Sequence, residues 1–306
     1  MREARWGKWV LAAYFCLFLL FLYGPMIVMA ILSFNGLQGG ISFPLKGTSL
    51  QWWQALWDDS VPLSQAARIR PAAGNSLYLG LAAGAVTSLL ALSLSMAFRR
   101  RFRFDGALFF LVLLALMTPG FLLSVGTSFF WQAIGLNASI WKTALGTTVV
   151  WALPFGFLVM IAVWNRYESA VEEAARDLGA NALTTFREVT LPLVWTGVFG
   201  TFLFGFTLTW NEYDRVALFL SAADSTLPIQ IFSFTVGSVI RPDLYALGTA
   251  TTAVVLLAIL IAVGFMASRL RRGREKTSLE DQVKEELGEV AKIDSAIDLG
   301  PGTLRS

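Results

Sequence analysis

Long uncharged, apolar segments alternate with short charged ones along the chain. A helix needs about 20 residues to cross roughly 30 Å of hydrocarbon, so the longest apolar segments are predicted to be transmembrane helices. Six segments meet this length: Trp9 to Ser33, Ser76 to Phe98, Ala107 to Phe130, Ala144 to Trp164, Leu193 to Trp210, and Leu244 to Ser268. A seventh, Ser225 to Ile240, would reach only roughly 24 Å as a helix. The pattern predicts an all-α, polytopic membrane protein with six transmembrane helices.

The composition agrees with this pattern. Of the 306 residues, 56% are hydrophobic and 15% are charged, which is too apolar for an ordinary soluble domain. The first apolar segment follows three basic residues, as a secretion signal would, but it is too long and lacks a small-residue cleavage site. We therefore predict an uncleaved signal-anchor helix. The chain has a single cysteine, Cys16, so an intrachain disulfide is excluded. It has no histidine, and we expect neither a metal nor a cofactor.

The basic residues predict the orientation of the helices. Eighteen of the 24 lysines and arginines fall on one side of a six-helix arrangement, in both termini, in the loop from Arg99 to Arg103 and in a central polar segment. The positive-inside rule places that side in the cytoplasm, with Trp52 and Lys142 outside. The basic residues lie in short loops rather than on a soluble face, so no nucleic-acid partner is expected.

Three regions follow from the same pattern. Residues 1–74 comprise a cytoplasmic stub, the first helix and an outer loop; residues 75–268 form a five-helix core; residues 269–306 form a charged cytoplasmic tail. In the outer loop, Ser49 is a possible helix cap before three tryptophans, which indicates a short interfacial helix or, alternatively, a ligand-stacking surface. In the tail, apolar residues with helical spacing predict an amphipathic helix: Leu279, Val283, Leu287 and Val290.

The central polar segment has the pattern of a helix-turn-helix. Its apolar residues recur at helical spacing and form a narrow stripe of mostly small side chains: Val171, Ala174, Ala175 and Leu178. Glu172 and Arg176 are spaced for an i,i+4 pair on the other face. Gly179 is placed for a left-handed C-terminal cap, and Asn181 for the N-cap of a second helix. Such a segment either docks on a soluble partner or packs against its own membrane domain.

The same residues resemble a known motif. Glu173-Ala174-Ala175, followed by Gly179 and by Leu191-Pro192, is similar to the EAA loop of ABC importer permeases of the binding-protein-dependent class. Three segments further resemble the second permease of the spermidine/putrescine type: Asn75-Ser76-Leu77, Arg101-Phe102-Arg103-Phe104, and the run from Glu173 to Ala180. The resemblance covers about Asn75 to Ser268.

This resemblance implies a role in force transmission rather than in bond chemistry. In such importers the first helix of the loop couples the membrane helices to a separate ATPase. The residues it assigns to coupling are Glu172, Glu173, Ala174, Ala175, Gly179, Leu191 and Pro192. The implied partners are ABC ATPase subunits, a second and distinct permease, an extracytoplasmic solute-binding protein and membrane lipid. The implied cargo is a polyamine or a related small cation.

The chain is not expected to be an enzyme, because it has no phosphate-binding loop of the glycine-x4-Gly-Lys-Ser/Thr type. Two alternatives stay open. One is an ABC importer permease for another solute, such as a sugar, sulfate, ferric iron or a phosphonate. The other is a self-contained secondary transporter or channel. Such carriers need coupling charges within their helices, and because all six apolar segments are uncharged, the sequence disfavours this alternative.

Candidate residues of the substrate pathway follow the fifth apolar segment, where Glu212 and Asp214 are acidic. The resemblance places Asn211-Glu212 where, in the spermidine/putrescine-type permeases, a pair of acidic residues could attract a cationic amine. Arg215 offers a second interpretation, in which it neutralises one of these acids in a structural ion pair. Both interpretations stay open at the level of the sequence.

Overall fold

A computed structural model describes residues 3–36, 45–62, 64–100, 102–136, 139–218, 224–237 and 242–268. These residues are helical and contain no strand, as predicted; the one β-type pairing among them is an isolated bridge between Asn35 and Thr48. The helices are, in order, α1 (Glu3–Leu32), α2 (Gln51–Gln54), α3 (Ala66–Ala97), α4 (Asp105–Met117), α5 (Gly120–Ala133), α6 (Leu145–Trp164), α7 (Ala170–Asp177), α8 (Ala182–Trp210), α9 (Leu227–Gly237) and α10 (Pro242–Ser268).

The chain divides into two compact units, Met1–Leu256 and Leu257–Ser306, with the boundary inside α10. The first unit contains α1 to α9 and the first part of α10. Of the second unit, only residues 257–268 are described, so the predicted amphipathic helix of the tail lies outside the described residues.

Within the described part of the chain, five helices are long and apolar enough to cross a membrane, namely α1, α3, α6, α8 and α10. The third predicted span is not one continuous helix: α4 and α5 meet at an angle of 103°. Thr118 is extended because the residue before a proline is excluded from the α region, and Pro119 then directs the chain into α5. With 13 residues, α4 reaches only roughly 20 Å. The third predicted span is therefore confirmed only as this bent pair, and the total is six spans only if the pair counts as one.

The second span starts earlier than the sequence pattern predicts. Helix α3 begins at Ala66, so Asn75 and Ser76 lie inside it and do not open it. Asn75 Nδ2 donates to the Ser225 carbonyl at 3.1 Å, and Ser76 Oγ accepts from Leu227 N at 2.9 Å. These two side chains therefore hold the start of α9 against α3. The 11-residue α9 is too short to span, as predicted.

The core of the first unit lies between α3, α6 and α8. Fully buried Leu79, Phe157, Met160 and Val194 fill it. The Gly80-x-x-x-Gly84 spacing in α3 lets α8 approach closely: a Cβ on Gly84 would lie 2.7 Å from the Phe202 carbonyl oxygen of α8. Because α3, α6 and α8 pack this closely, each end of the core brings residues of all three helices together. We call the end where α3 and α6 terminate and α8 begins the α7 end, and the opposite one the α9 end.

The tryptophans of the outer loop have different environments. The predicted short helix is α2, and Ser49 Oγ accepts from Gln51 N at 3.1 Å. Trp52 is buried and donates its indole N–H to the Asn35 carbonyl at 2.8 Å, while Trp53 donates to Ser33 Oγ at 3.2 Å. Trp57 is exposed. Two of the three rings thus fasten the loop to the end of α1.

Candidate functional site

Helix α7 ends as its sequence predicts. Gly179 has φ +91°, in the left-handed region that favours glycine. Its N–H donates to the Arg176 carbonyl at 2.9 Å, and the N–H of Ala180 donates to the Ala175 carbonyl at 3.0 Å. This pair of bonds is a Schellman motif, which satisfies carbonyls at the helix end and reverses the chain.

The second helix of the predicted helix-turn-helix is much longer than expected. Asn181 caps it, since its side chain accepts from Thr184 N at 2.9 Å. The helix then runs without interruption to Trp210 and becomes the fifth span. Leu191 and Pro192 lie within it, directly after the π-helical stretch Thr185–Thr190. A proline ring clashes with the carbonyl four residues before it in a regular α-helix, and the wider π turn relieves that clash.

The apolar stripe of α7 is open to solvent over most of its length. Leu178 is 90% exposed and Val171 is 43% exposed, and Ala174 and Glu173 are also exposed, whereas Ala175 is half-buried. The stripe therefore does not pack against the chain's own membrane helices. It forms a projecting surface at the α7 end.

Glu172 is the one residue of α7 that faces inward. It is buried, and its Oε1 accepts hydrogen bonds from Arg99 Nη1 at 2.8 Å, Tyr167 Oη at 2.7 Å and Thr190 Oγ1 at 2.7 Å. The predicted i,i+4 partner, Arg176, is 3.7 Å from Oε2 and half exposed, so it is the weaker contact. Glu172 therefore lies on the face away from the stripe, as predicted, and the structure adds that this face is turned toward the membrane helices.

Aromatic rings hold Arg99 in place for this contact. Its guanidinium carbon lies 4.5 Å from the centre of the Trp164 ring and 4.9 Å from that of Tyr167. Trp164 in turn donates to Ser95 Oγ of α3 at 2.9 Å. We call Glu172, Arg99, Tyr167 and Thr190 the Glu172 cluster. It joins α7 to the ends of α3 and α6 and to the π-helical stretch of α8.

The cluster shifts two acid–base equilibria. Burial alone would raise the pKa of Glu172, but hydrogen bonds from Arg99, Thr190 and Tyr167, with the positive charge of Arg99, outweigh burial and hold that pKa at about 2. Burial, together with the neighbouring Glu172 carboxylate, raises the pKa of Tyr167. At neutral pH the carboxylate is therefore ionised and the phenol is a donor, which is the combination that the observed bonds need.

Sequence reasoning missed Arg99, Tyr167 and Thr190. Arg99 was interpreted only as one of the cytoplasmic charges, and Tyr167 and Thr190 belong to no motif. The cluster depends on contacts between residues as much as 73 positions apart. A single sequence gave no local signal for such contacts.

At the α9 end, the three predicted pathway residues differ in their surroundings. Asn211 and Asp214 are exposed, whereas Glu212 is buried. Glu212 Oε2 accepts from Arg215 Nη1 at 2.9 Å, and its Oε1 accepts from Arg215 N, also at 2.9 Å. The guanidinium carbon of Arg215 lies 3.9 Å from the centre of the Trp151 ring. The structure therefore fits the structural ion pair for Glu212 and leaves Asn211 and Asp214 accessible.

Two curated relatives cover most of this chain. The spermidine/putrescine transport system permease protein PotC of Haemophilus influenzae is 26% identical over 249 residues, which are 81% of this chain and 92% of the relative. The putrescine transport system permease protein PotI of Escherichia coli is 27% identical over 269 residues, 85% of this chain and 90% of the relative. Both are proteins that this chain resembles over nearly their whole length.

Solved structures of a bacterial ABC transporter involved in the import of the acidic polysaccharide alginate share the fold. One chain has a TM-score of 0.64 and 18% identity, covering 87% of this chain and 98% of its own length. Another, from the complex with an alginate pentasaccharide-bound periplasmic protein, has a TM-score of 0.60 and 15% identity, covering 86% and 93%. At these identities the likeness shows the fold.

The family comparison agrees with the EAA-loop residues and with the membrane helices. Residues 89–275 match the family described as binding-protein-dependent transport system inner membrane component. The match includes α7, all of α8 and the Glu172 cluster, and it removes the self-contained secondary transporter or channel from consideration. The chain belongs to this family and is a multi-pass inner-membrane permease subunit of an ABC importer.

Proposed function

We propose that this permease passes a polyamine, or a related small cationic solute, and that α7 is the helix through which a separate ATPase drives it. The observation that carries the coupling role is the division of α7 into two faces. Its apolar stripe is exposed while its one buried carboxylate is fastened to three membrane helices. A contact on the stripe therefore acts on the whole core of the first unit.

A partner surface explains the exposed stripe. Leu178 is almost fully exposed outside the spans, where it gains nothing from contact with lipid. Burying a leucine side chain contributes about 1.5–3 kcal/mol, so a groove that covers Leu178 and Val171 would gain stability. Small Ala174 permits close approach, and exposed Glu173 offers a charge that sets the register of docking. An ABC ATPase subunit is the partner that supplies energy to a permease without a phosphate-binding loop.

The remaining partners and the orientation follow from the same proposal. A second, distinct permease completes the translocation path, and an extracytoplasmic solute-binding protein delivers the cargo. The distribution of lysines and arginines supports a cytoplasmic α7 end, since the loop after α3 and the segment around α7 carry most of the basic residues between the spans. The α9 end then faces the binding protein.

The names of the two relatives support the choice of cargo. Both are permeases named for putrescine or for spermidine and putrescine, and each is covered over at least 90% of its length. The alginate importers share the fold at identities too low to carry a cargo, so an acidic polysaccharide does not follow from them. If this permease passes a solute other than a polyamine, the transport assay described next would detect it.

Reconstitution of the complete importer tests both parts. The permease pair, ATPase and binding protein are placed in liposomes containing ATP, and uptake of labelled spermidine and putrescine is compared with that of a neutral sugar and of sulfate. We expect uptake of the polyamines alone. Uptake of the sugar or of sulfate in the absence of polyamines would contradict the assignment of a polyamine as the cargo.

A charged residue on the stripe tests the docking surface. Leu178→Glu is expected to abolish ATP-driven uptake and to release the ATPase from the membrane complex on purification. Leu50→Glu is the matched control, because Leu50 is also an exposed leucine outside the spans but lies at the opposite end of the core. Normal uptake and normal ATPase retention in Leu178→Glu would remove α7 from the coupling path.

A further inference from the structure

A cavity of about 330 Å³ lies at the α9 end, between the last residue of α8, the segment after it, and helices α9 and α10. Small-molecule sites in proteins have volumes of roughly 300–1,000 Å³, so this cavity has the size of a site for a small ligand. Its lining combines the aromatic rings of Trp210, Tyr213 and Phe232 with the Asn211 amide, two threonines and aliphatic side chains.

The rings of the cavity form a surface suited to a cation. Tyr213 and Phe232 lie with their ring centres 4.5 Å apart at an angle of 37°, and Trp210 is held by stacking on Phe206 at 5.8 Å. The faces of aromatic rings carry negative partial charge and attract ammonium groups. Among the residues that the structure describes, the lining contains no lysine or arginine, so none of them repels a cationic ligand.

Polar groups around the rings complete a site for an amine. Asn211 Nδ2 donates to the Thr207 carbonyl at 3.0 Å, which orients the amide, and its oxygen receives no hydrogen bond within the described residues. The oxygen can therefore accept an N–H from a ligand. Asp214 follows Tyr213 directly, is exposed, and makes no ion pair with any residue that the structure describes. It contributes a negative charge near the cavity, whereas Glu212 is neutralised by Arg215.

We propose that this cavity binds an alkylammonium group of the cargo at the α9 end, through cation–π contact with Trp210, Tyr213 and Phe232 and a hydrogen bond to Asn211. This site rests on the proposed polyamine function and specifies it further. It assigns recognition to the rings and to Asn211, with Asp214 as an attracting charge. A slender diamine fits the volume, whereas an oligosaccharide would need a larger one.

Graded fluorination of Phe232 tests the site. Replacing Phe232 with mono-, di- and trifluorophenylalanine weakens the ring's attraction for a cation while changing its size little. Phe232 is half exposed, so these replacements leave the core unchanged. The readout is the initial rate of labelled spermidine uptake by the complete importer, with excess loaded binding protein. A cation–π contact is worth about 0.5–2 kcal/mol, so we expect a stepwise decrease that reaches about 2- to 30-fold with three fluorines.

Phe21 provides the matched control, since it is an 81% exposed phenylalanine in α1, away from the cavity. The same fluorinated series at Phe21 is expected to leave uptake unchanged. Uptake that is independent of fluorination at Phe232, with normal polyamine uptake by the unmodified importer, would overturn the ammonium site and leave the polyamine function intact. An equal decrease at Phe21 would also overturn the site, because the effect would not depend on the cavity. Absence of polyamine uptake by the unmodified importer would overturn the site and the proposed function together.

Discussion

Glu172→Gln is the substitution that tests most directly how α7 is attached to the membrane helices. Glutamine has nearly the shape of a protonated glutamate, so it keeps the packing and removes the negative charge. Arg99 then stays in its place between the rings of Trp164 and Tyr167 without a charged partner. We expect α7 to separate from the core more readily, and ATP hydrolysis to be less well coupled to transport.

The size of the effect follows from the pKa of the carboxyl. The cluster lowers it from 4.5 to about 2, and each pH unit corresponds to about 1.4 kcal/mol. Relative to water, the folded cluster therefore stabilises the ionised carboxylate over its neutral form by about 3 kcal/mol. Because the Glu172 side chain is only 9% exposed, solvent screens little of this energy. A loss of about 3 kcal/mol changes an attachment equilibrium by more than 100-fold.

Three measurements on the reconstituted importer check this value. These are the number of cargo molecules imported per ATP hydrolysed, the midpoint of thermal unfolding in detergent, and the pH dependence of that midpoint. A lowered carboxyl pKa stabilises the folded state fully above about pH 4.5, and the stabilisation is lost as the pH falls toward 2. The difference between wild type and Glu172→Gln should therefore be largest at neutral pH and should shrink below pH 4.5.

Two comparisons isolate the cluster from general effects of lost charge. Glu173→Gln removes the adjacent, exposed carboxylate and is expected to leave the unfolding midpoint unchanged. Arg99→Met combined with Glu172→Gln should restore part of the stability lost in the single variants, because neither charge is then left alone in a buried site. An unchanged midpoint and unchanged coupling in Glu172→Gln would refute the reasoning, since the carboxylate would then carry no differential energy.

Further substitutions test the other parts of the structure. Gly179→Val should lower uptake per ATP, because a β-branched residue at φ +91° costs roughly 1–2 kcal/mol. Gly179→Asn should lower it less, because asparagine tolerates this region of φ. Equal uptake by the two variants would contradict the left-handed cap. Glu212→Gln should reduce the free energy of unfolding by about 3–5 kcal/mol, because it leaves Arg215 unpaired in a buried site. Asp214→Asn should reduce polyamine uptake without a change in stability. A Glu212→Gln protein as stable as wild type would show that the ion pair does not stabilise the fold. In a background without the native cysteine, a cysteine at Trp57 should react with an impermeant thiol reagent from outside and one at Glu173 should not, and the reverse would invert the topology.

The sequence predicted those features that depend on short spacings. The cap at Gly179 and the cap at Asn181 each need only the residue types within one helical turn, and both were confirmed. The apolar spans were found for a similar reason, because a run of uncharged residues is visible without knowledge of its neighbours. The narrow stripe of α7 was also correct as a pattern. Its exposure was not predictable, because a stripe can face either a partner or the chain's own core.

Two prolines, Pro119 and Pro154, have different effects on their helices that the neighbouring residues do not predict. Pro154 lies inside the continuous helix α6, whereas Pro119 separates α4 from α5 by 103°. Either proline can interrupt a helix, and nothing in the adjacent residues decides how far the chain turns. A cluster across the bend holds the turned arrangement: Ser124 of α5 donates to the Arg215 carbonyl at 3.3 Å, and a Cβ on Gly120 would lie 3.1 Å from the Arg215 guanidinium carbon. Such contacts between distant segments set the angle.

Glu172 shows a second limit. Its i,i+4 spacing to Arg176 is real, and the two groups do lie within 3.7 Å. The stronger partner, Arg99, comes from the end of another helix and is already fixed by aromatic rings. A pre-positioned guanidinium loses less side-chain entropy on pairing than a half-exposed arginine on the same helix. The tertiary contact therefore prevails over the local one, and it turns Glu172 inward.

Helix α8 connects the two candidate sites of the molecule. Its 29 residues extend about 43 Å, from the cap at Asn181 to Trp210 in the lining of the aromatic cavity. Over this length, a tilt of about 5° at the α7 end would displace the other end by roughly 4 Å, enough to open or close a cavity of this size. Thr190, at the end of the π-helical stretch, ties the helix to Glu172. Because no loop interrupts α8, movement of α7 reaches the cavity without an intermediate element. By linkage, if nucleotide bound to the ATPase changes the affinity of the cavity for cargo, cargo in the cavity must change the affinity for nucleotide by the same factor.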